Sequence, residues 1–367
     1  MSPAPPSSSI LFESADHAVV VVDVPRSIEE AQEPQETQNT QNTPPKPLGD
    51  GLSTRHTRRW RLASAPAPTE PFAAPQGPNG ASLDAGRSLA SQLAELTTKA
   101  AVEGALCVLK GAGFGGPWCL PRHLPRNSES IPRDGDGAAV EGERSNNALI
   151  PPGARFLHGT IADCRDEFVA KAPRFGLIVL DPPWPNRSAR RRRQGRKRKS
   201  SVLQGEDSAD RGYDTALNMD ALREMLEQIP VGSKLAAGGI VAMWITNKPT
   251  CEELLTDPKR GVFRAWGVEL VATWTWLKVT ARGEPIVPTD SHWRRPWERL
   301  LLAQRPGRVD ASEAAKAKAL PTHRVIVGVP DVHSRKPHLR PLLSPFLPAT
   351  SSDGIRPGGL QTTEMTV

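Results

Sequence analysis

One run of residues dictates the architecture of this chain: Gly176-Leu177-Ile178-Val179-Leu180, followed at once by Asp181-Pro182-Pro183-Trp184. Its apolar part is short, rich in branched residues and without helical periodicity, which predicts a buried strand of a parallel sheet. The two prolines end this strand because neither can donate to a sheet ladder. Ligands of open α/β sheets bind beyond the carboxyl ends of the strands. A carboxylate, two rigid carbonyls and an indole therefore lie where a functional site is expected.

The residues from Asp181 to Trp184 suit the methylation of an exocyclic amine on a nucleobase. Such an amine is a weak nucleophile because its lone pair is delocalised into the ring. The Asp181 carboxylate and the Pro182 carbonyl can each accept one N–H, and Trp184 offers a flat face on which an extruded base can stack. The alternative is a strand that ends in a Pro-Pro turn, with Asp181 capping a helix and Trp184 on the surface.

Strand and helix patterns alternate around this run. Short apolar segments predict further strands at 155–158, 240–245, 268–276, 298–302 and 324–329, and apolar spacing predicts helices at 220–228 and 250–255. Such alternation is typical of an α/β fold with a doubly wound, mostly parallel sheet.

Composition divides the chain into four predicted parts. These are a largely disordered arm over 1–95, a helical and loop extension over 96–147, the α/β domain over 148–345 and a disordered tail over 346–367. The arm contains one candidate strand at 17–24, and a helix is predicted over 89–102. The glycine-rich segment 111–116 could form a cofactor loop, but the prolines after it disfavour the helix that such a loop requires, so a turn is expected.

The positive charge of the chain is concentrated in one place. The formal net charge is +7, and eight of the ten residues from 190 to 199 are basic, beginning with Arg190, Arg191, Arg192 and Arg193. A basic run directly after the predicted site indicates contact with nucleic-acid phosphates. A nuclear localisation signal is the alternative, and both interpretations agree with a nuclear protein.

Other features narrow the class of protein. No apolar run approaches the about 20 residues needed to cross a bilayer, and the N-terminus lacks the pattern of a signal peptide. The cysteines, Cys107, Cys119, Cys164 and Cys251, are scattered without a C-x-x-C pair. We therefore expect reduced thiols, no metal site and no contact with a membrane.

Several further sequence blocks follow Trp184. They are Asn186-Arg187-Ser188, Trp244-Ile245-Thr246-Asn247, Trp274-Thr275-Trp276-Leu277-Lys278-Val279-Thr280, Asp290-Ser291, Arg295-Pro296-Trp297-Glu298 and His333-Ser334-Arg335-Lys336-Pro337. With these blocks in family order, the chain resembles the MT-A70-like family, the DPPW adenine-N6 methyltransferases, and most of all its methyltransferase-like protein 4 branch. The resemblance implies a Rossmann-like sheet, S-adenosyl-L-methionine as cofactor and methyl transfer to adenine in RNA or DNA.

The resemblance also implies roles for individual residues. The catalytic segment is expected to be Asp181, Pro182, Pro183 and Trp184. The cofactor is expected to contact Asp163, Cys164, Asp181 and Lys336, and the ammonium of Lys336 to pair with its carboxylate. The nucleic acid is expected to contact Trp184, Asn186, Trp276, Glu298, Arg190, Arg191, Arg192 and Arg193. Among these, Trp184 and Trp276 would form the base pocket, and Glu298 would support its floor.

The C-terminus departs from the family pattern. Relatives continue with a strand and a Gly-Asn-Glu segment that contact the cofactor's ribose, whereas a Pro-, Ser- and Gly-rich sequence follows Ser344 here. This departure leaves open an inactive nucleic-acid-binding scaffold that lacks a complete cofactor site. Methylation of a protein side-chain amide is a second alternative, because Pro-Pro-aromatic sites also hold planar amides. The pattern selects neither RNA nor DNA and specifies no partner subunit.

Overall fold

A computed structural model describes the α/β domain and parts of the N-terminal region. The described residues are 8–32, 62–73, 88–124, 155–185, 219–291, 294–306, 319–347 and 362–366, the last of these as backbone alone. Asn186 and the basic residues Arg190, Arg191, Arg192 and Arg193 lie outside them, so their predicted contacts stay predictions.

Eight strands form one sheet. They are β1 (Ile10–Glu13), β2 (Val19–Val22), β3 (Phe175–Asp181), β4 (Leu235–Ile245), β5 (Glu269–Lys278), β6 (Trp297–Gln304), β7 (His323–Gly328) and β8 (Thr362–Thr366). Their order across the sheet is β1-β2-β7-β5-β6-β4-β3-β8. The pairings orient β2, β3, β4, β5, β7 and β8 in one direction, whereas β1 and β6 run the opposite way. The sheet is therefore mixed, with the antiparallel strand β6 at its centre.

Helices connect these strands and cover the sheet. They are α1 (Val24–Gln32), α2 (Leu89–Gly111), α3 (Ile161–Lys171), α4 (Met219–Glu227), α5 (Val231–Lys234), α6 (Pro249–Thr256), α7 (Val262–Trp266) and α8 (Arg340–Leu343). Local sequence explains several of their ends. The side chains of Ser88 and Thr160 accept backbone N–H groups in the first turns of α2 and α3, and Pro249 begins α6, where its missing N–H costs nothing. Gly267 ends α7 in the left-handed conformation that glycine adopts without strain.

Both faces of the sheet are covered, so a ligand can reach the sheet only at the ends of its strands or along its outer strands. Along β6, Leu301 and Ala303 face one side and Leu300 and Leu302 the other, as strand alternation requires. On the first face, α4, α6 and α7 pack over β3 and β4, while α2 packs over β2 and β7. Residues 339–347 cover the second face. Within the described residues, no helix combines the length and hydropathy that crossing a membrane requires.

The central elements confirm the predicted α/β fold. The strands expected within 177–180, 240–245, 268–276, 298–302 and 324–329 are β3, β4, β5, β6 and β7, and the two predicted helices are α4 and α6. The mostly parallel sheet that was expected is mixed, because the apolar pattern of β6 does not encode its direction. The prediction of a strand at 155–158 is wrong: these residues form coil before α3, and Phe156 is exposed. Such a short apolar pattern is ambiguous until a partner strand is known.

The ends of the chain contain more regular structure than composition indicated. Near the N-terminus, where one strand was predicted, β1, β2 and α1 follow one another, and β2 is fully buried between β1 and β7. Near the C-terminus, β8 pairs in parallel with β3 from Leu177 to Asp181, although no strand was predicted there. A strand therefore exists in the C-terminal segment, where the sequence indicated that the family's strand is missing. The predicted helix at 89–102 extends to Gly111, and the glycine-rich segment follows it as a turn.

Candidate active site

Strand direction brings four charged side chains to one edge of the sheet. Asp181 is the last residue of β3, and Lys278 is the last residue of the parallel strand β5. Glu298 is at the same edge because β6 runs the opposite way and begins there, paired with Trp276. Lys336 follows β7, whose carboxyl end also lies at this edge. The site is thus assembled from residues that are up to 155 positions apart in the numbering.

These four residues form an alternating chain of charges, referred to below as the charged tetrad. The Nζ atom of Lys336 lies 3.0 Å from Oδ2 of Asp181 and 3.2 Å from Oε2 of Glu298. Oε1 of Glu298 forms an ion pair with Nζ of Lys278. The Oδ1 atom of Asp181 forms no hydrogen bond with any described residue, and its side chain is 28% exposed. The tetrad therefore offers one open carboxylate oxygen at the carboxyl end of β3.

Burial and mutual charge shift the pKa values within the tetrad. Burial raises the pKa of Asp181, although the positive charge of Lys336 opposes the rise. Burial also lowers the pKa of Lys278, in spite of Glu298. For Glu298, burial favours a higher pKa, but Lys278 and Lys336 outweigh it and the pKa lies below its usual range. For Lys336, Glu298 and Asp181 outweigh burial and raise the pKa. Such perturbed groups at a strand edge are typical of a functional site.

The segment after Asp181 turns back on itself. The backbone N–H of Trp184 donates to the carbonyl of Pro182 at 2.8 Å, which leaves that carbonyl one further lone pair. The Trp184 indole is 8% exposed and donates from Nε1 to the carbonyl of Trp244 at 2.8 Å. Trp184 thus anchors the Pro-Pro turn to the end of β4. Pro183 is half-buried at the tip of this turn.

The two tryptophans predicted to form one base pocket belong to different apolar clusters. Trp184 packs with Leu180 and Ile245 on one face of the sheet, while Trp276 packs with Trp244 in the cluster on the other face. The rings of Trp276 and Trp244 meet edge to face, 5.9 Å between centroids, and Lys278 Nζ lies 4.6 Å from the Trp276 centroid. The structure does not bring Trp184 and Trp276 together, so their joint role in stacking stays a prediction.

Asp163 and Cys164 lie in the first turn of α3. Thr160 donates from Oγ1 to Oδ2 of Asp163 at 2.7 Å and accepts the Asp163 backbone N–H at 3.2 Å, so Asp163 belongs to the cap of the helix. Cys164 is half-buried, and its thiol is free like those of the other cysteines. No hydrogen bond or ion pair connects Asp163 or Cys164 to the tetrad in the described part of the chain. Their predicted contact with the cofactor stays a prediction.

A second charged cluster holds the segment that leads to Lys336. The side chain of Asp331 is fully buried; its Oδ1 accepts the backbone N–H of Ala65 at 2.8 Å and faces Arg122 at 3.7 Å, and its Oδ2 pairs with Arg335. Arg122 donates to the carbonyls of Val329 and Pro330 at 3.1 and 2.9 Å. These contacts, called here the arginine clamp, fasten the residues before Lys336 to the N-terminal region.

The Lys336 segment is also held on its other side. The backbone N–H of His338 donates to Oγ of Ser27 at 2.9 Å, which ties the segment to α1. Burial lowers the pKa of His338 to about 4, so its ring is neutral at physiological pH. The N-terminal region thus positions a residue of the site without entering the site.

Sequence reasoning missed several of these residues. Lys278 stood inside a recognised block but carried no assigned role, and its apolar neighbours give it the pattern of a strand end. Arg122 and Asp331 had no signal at all, because their contact joins segments more than 200 residues apart. Lys248, which donates to the Pro185 carbonyl, and Asn247, which donates to the Trp297 carbonyl at 2.7 Å, also shape this edge.

The donor set of the tetrad fits the cofactor that the sequence implies. S-adenosyl-L-methionine carries a carboxylate and two cationic centres, an ammonium and a sulfonium. The tetrad presents a lysine ammonium directly beside two carboxylates, so both signs of charge have a complement within a few ångströms. Within the described residues, no group of His, Cys, Asp and Glu has the arrangement of a metal site.

Comparisons with known proteins agree with this geometry. The sequence model of the MT-A70 family matches residues 175–352. The "N6-methyladenosine RNA methyltransferase MTA1" of Pyricularia oryzae is 39% identical over 94% of this chain and 89% of its own length. The MTA1 of Cryphonectria parasitica is 41% identical over 92% of this chain and 84% of its own. The human "N(6)-adenine-specific methyltransferase METTL4" is 31% identical over 54% of this chain and 37% of its own. The fungal MTA1 proteins are thus more similar than the branch favoured by the sequence motifs.

Proposed function

Because the chain belongs to the MT-A70 family, we propose that it transfers a methyl group from S-adenosyl-L-methionine to the N6 amine of adenine in RNA. The observation that carries this proposal is the partly exposed Asp181 carboxylate at the carboxyl end of β3, whose Oδ1 has no hydrogen-bond partner among the described residues and which the Pro182 carbonyl follows in the chain. RNA is favoured over DNA because both MTA1 relatives are named RNA methyltransferases. An adenine acceptor, and not a protein amide, follows from the same names.

The two acceptors define how the amine is held. One amine N–H donates to Oδ1 of Asp181 and the other to the Pro182 carbonyl, which directs the nitrogen lone pair away from both. S-adenosyl-L-methionine, when bound, supplies a methyl group on a positively charged sulfur. Asp181 stabilises the positive charge that develops on the nitrogen, in a half-buried site where such stabilisation is strong. As the N–C bond forms, the S–C bond of the bound cofactor would break and its sulfur would leave as a neutral thioether. The extra proton of the methylated amine then passes to solvent. Lys336 keeps the carboxylate oriented through Oδ2 and leaves Oδ1 for the amine.

Direct methyl transfer tests the proposal. The purified chain is incubated with trideuteromethyl-labelled S-adenosyl-L-methionine and RNA or DNA oligonucleotides of one adenine-containing sequence, and the digested nucleosides are analysed by mass spectrometry. We expect labelled N6-methyladenosine in the RNA and its loss in Asp181→Asn. The matched control Asp220→Asn changes an exposed carboxylate in the first turn of α4 and retains activity. A folded wild-type chain that labels neither polymer overturns the proposal.

The proposal extends to the nucleus as the place of action. Its support is the basic run at 190–199, which has the composition of a nuclear localisation signal. Replacing Arg190, Arg191, Arg192 and Arg193 by Gln in a fluorescently tagged chain is expected to shift the protein out of the nucleus. Unchanged nuclear fluorescence contradicts this role of the run.

A further inference from the structure

An aromatic side chain from outside the family match lies beside the active site. Phe72 is 46% exposed, and its backbone N–H donates to the carbonyl of Ile286 at 2.7 Å. The N–H of Ile286 in turn donates to the carbonyl of Lys278 at 3.0 Å. Two successive backbone hydrogen bonds, through Ile286, therefore connect Phe72 to Lys278 at the end of β5, and Lys278 is part of the tetrad. Its position depends on tertiary structure, because Phe72 and Lys278 are far apart in sequence.

An arginine accompanies this aromatic ring. The guanidinium carbon of Arg294 lies 5.8 Å from the centroid of the Phe72 ring. Arg294 is exposed and forms no hydrogen bond or ion pair with the described residues, whereas its neighbour Arg295 pairs with Glu95. Burial lowers the pKa of Lys278, and the positive charge of Arg294 adds a smaller contribution in the same direction, so the two cations interact electrostatically. Within the described residues, the guanidinium of Arg294 therefore contacts the Phe72 ring and no carboxylate.

This pair has the chemistry of a nucleotide-binding subsite. Single-stranded nucleic acids bind through aromatic faces on which bases stack and through cations that contact the phosphates. Arginine serves both purposes, since its planar guanidinium stacks and also pairs with phosphate. The Phe72 ring is 46% exposed, and within the described residues Arg294 has no carboxylate partner, so both groups remain available to a ligand.

We propose that Phe72 and Arg294 bind the nucleotide adjacent to the target adenine in the substrate strand. The base of this neighbouring nucleotide stacks on Phe72, and its phosphate contacts Arg294. The inference rests on the proposed function, because it assumes that a nucleic acid places its adenine at Asp181. It extends substrate recognition to Phe72 in the N-terminal region, which the family match at 175–352 does not include.

Binding of abasic oligonucleotides tests this subsite independently of turnover. Fluorescence anisotropy compares a single-stranded adenine-containing RNA with versions that lack the base on the 5′ or the 3′ side of the adenine. We expect wild type to lose about tenfold in affinity for one of the two abasic strands, as one stacked base implies. Phe72→Ala should bind the intact and abasic strands equally weakly, while Phe72→Trp should restore the discrimination. Arg294→Ala should lower the slope of log affinity against log salt by about one.

Two variants at the opposite edge of the sheet serve as matched controls. Leu270 near the start of β5 is exposed to a similar degree, 40%, and Arg174 is an exposed arginine directly before β3. Leu270→Ala should keep the wild-type discrimination between intact and abasic strands, and Arg174→Ala the wild-type salt slope. Discrimination that persists in a folded Phe72→Ala chain overturns the subsite. If wild type methylates RNA but binds intact and abasic strands equally well, the subsite is overturned and the proposed function stands. If wild type distinguishes intact from abasic strands but does not methylate, the proposed function alone is overturned.

Discussion

The charged tetrad and the arginine clamp are neighbours, since Asp331 and Lys336 lie on the same segment, but they use their carboxylates in different ways. In the clamp, both oxygens of Asp331 are engaged and the side chain is fully buried. In the tetrad, Asp181 keeps one oxygen open and remains partly exposed. A saturated carboxylate stabilises a segment, whereas an open one at a raised pKa is available for a substrate. The comparison separates residues that position the site from residues that act in it.

The largest expected effect separates activity from stability at Asp181. Asp181→Asn should lower methyl transfer by about 100-fold or more, because it removes a charge that stabilises the developing cation. Its free energy of unfolding should not fall. The native pKa of Asp181 is raised above its usual value, so the native state binds protons more readily and stability decreases as pH rises through that interval. Asn removes this cost. Urea unfolding at pH 7 measures the result, and a marked loss of stability would contradict it.

Asp331→Ala is expected to produce the opposite pattern. It leaves the buried guanidinium of Arg122 without its carboxylate, which costs about 3–5 kcal/mol of unfolding free energy. Urea unfolding checks this loss, with Asp220→Asn as a surface control. A loss below about 1 kcal/mol, within the range of surface substitutions, would show that the clamp does not stabilise the Lys336 segment.

His338 should make the stability of the same segment depend on pH. Its native pKa of about 4 lies below the usual 6.5, so the unfolded chain takes up a proton first as pH falls. The contribution of His338 is complete above pH 6.5 and is lost between about 6.5 and 4, up to about 3 kcal/mol. In His338→Gln the unfolding free energy should vary less over this interval. Equal pH dependence in both proteins would contradict the assignment.

The smallest effect is expected at the outer end of the tetrad. Lys278→Met removes a positive charge that lowers the pKa of Glu298, so Glu298 should become protonated at higher pH. The acid limb of the pH profile of kcat/KM should move upward, and activity at neutral pH should fall far less than in Asp181→Asn, because Lys336 still lowers the pKa of Glu298. Unchanged limbs in the profile would restrict Lys278 to a packing role against Trp276.

Much of the site could be predicted because short local sequence patterns identify its key residues. Asp181 follows an apolar strand and precedes two prolines, and this order alone places it at the carboxyl end of a strand. Lys336 and Glu298 were identified by their sequence blocks, and in the structure Lys336 forms ion pairs with both Asp181 and Glu298. The base pocket of Trp184 and Trp276 could not be judged in this way, because each tryptophan is locally compatible with either face of the sheet.

Local sequence determined the strands and helices of the domain and the residue types at its reactive edge, since apolar periodicity and proline act over a few positions. Tertiary structure decided the direction of β6, which brings Glu298 to that edge, and the pairing of β8 with β3. It also decided that Arg122 supports the segment before Lys336 and that Phe72 is hydrogen-bonded to Ile286 near the tetrad, although both residues are distant in sequence. These contacts depend on how distant segments meet, and no local pattern encodes such a meeting.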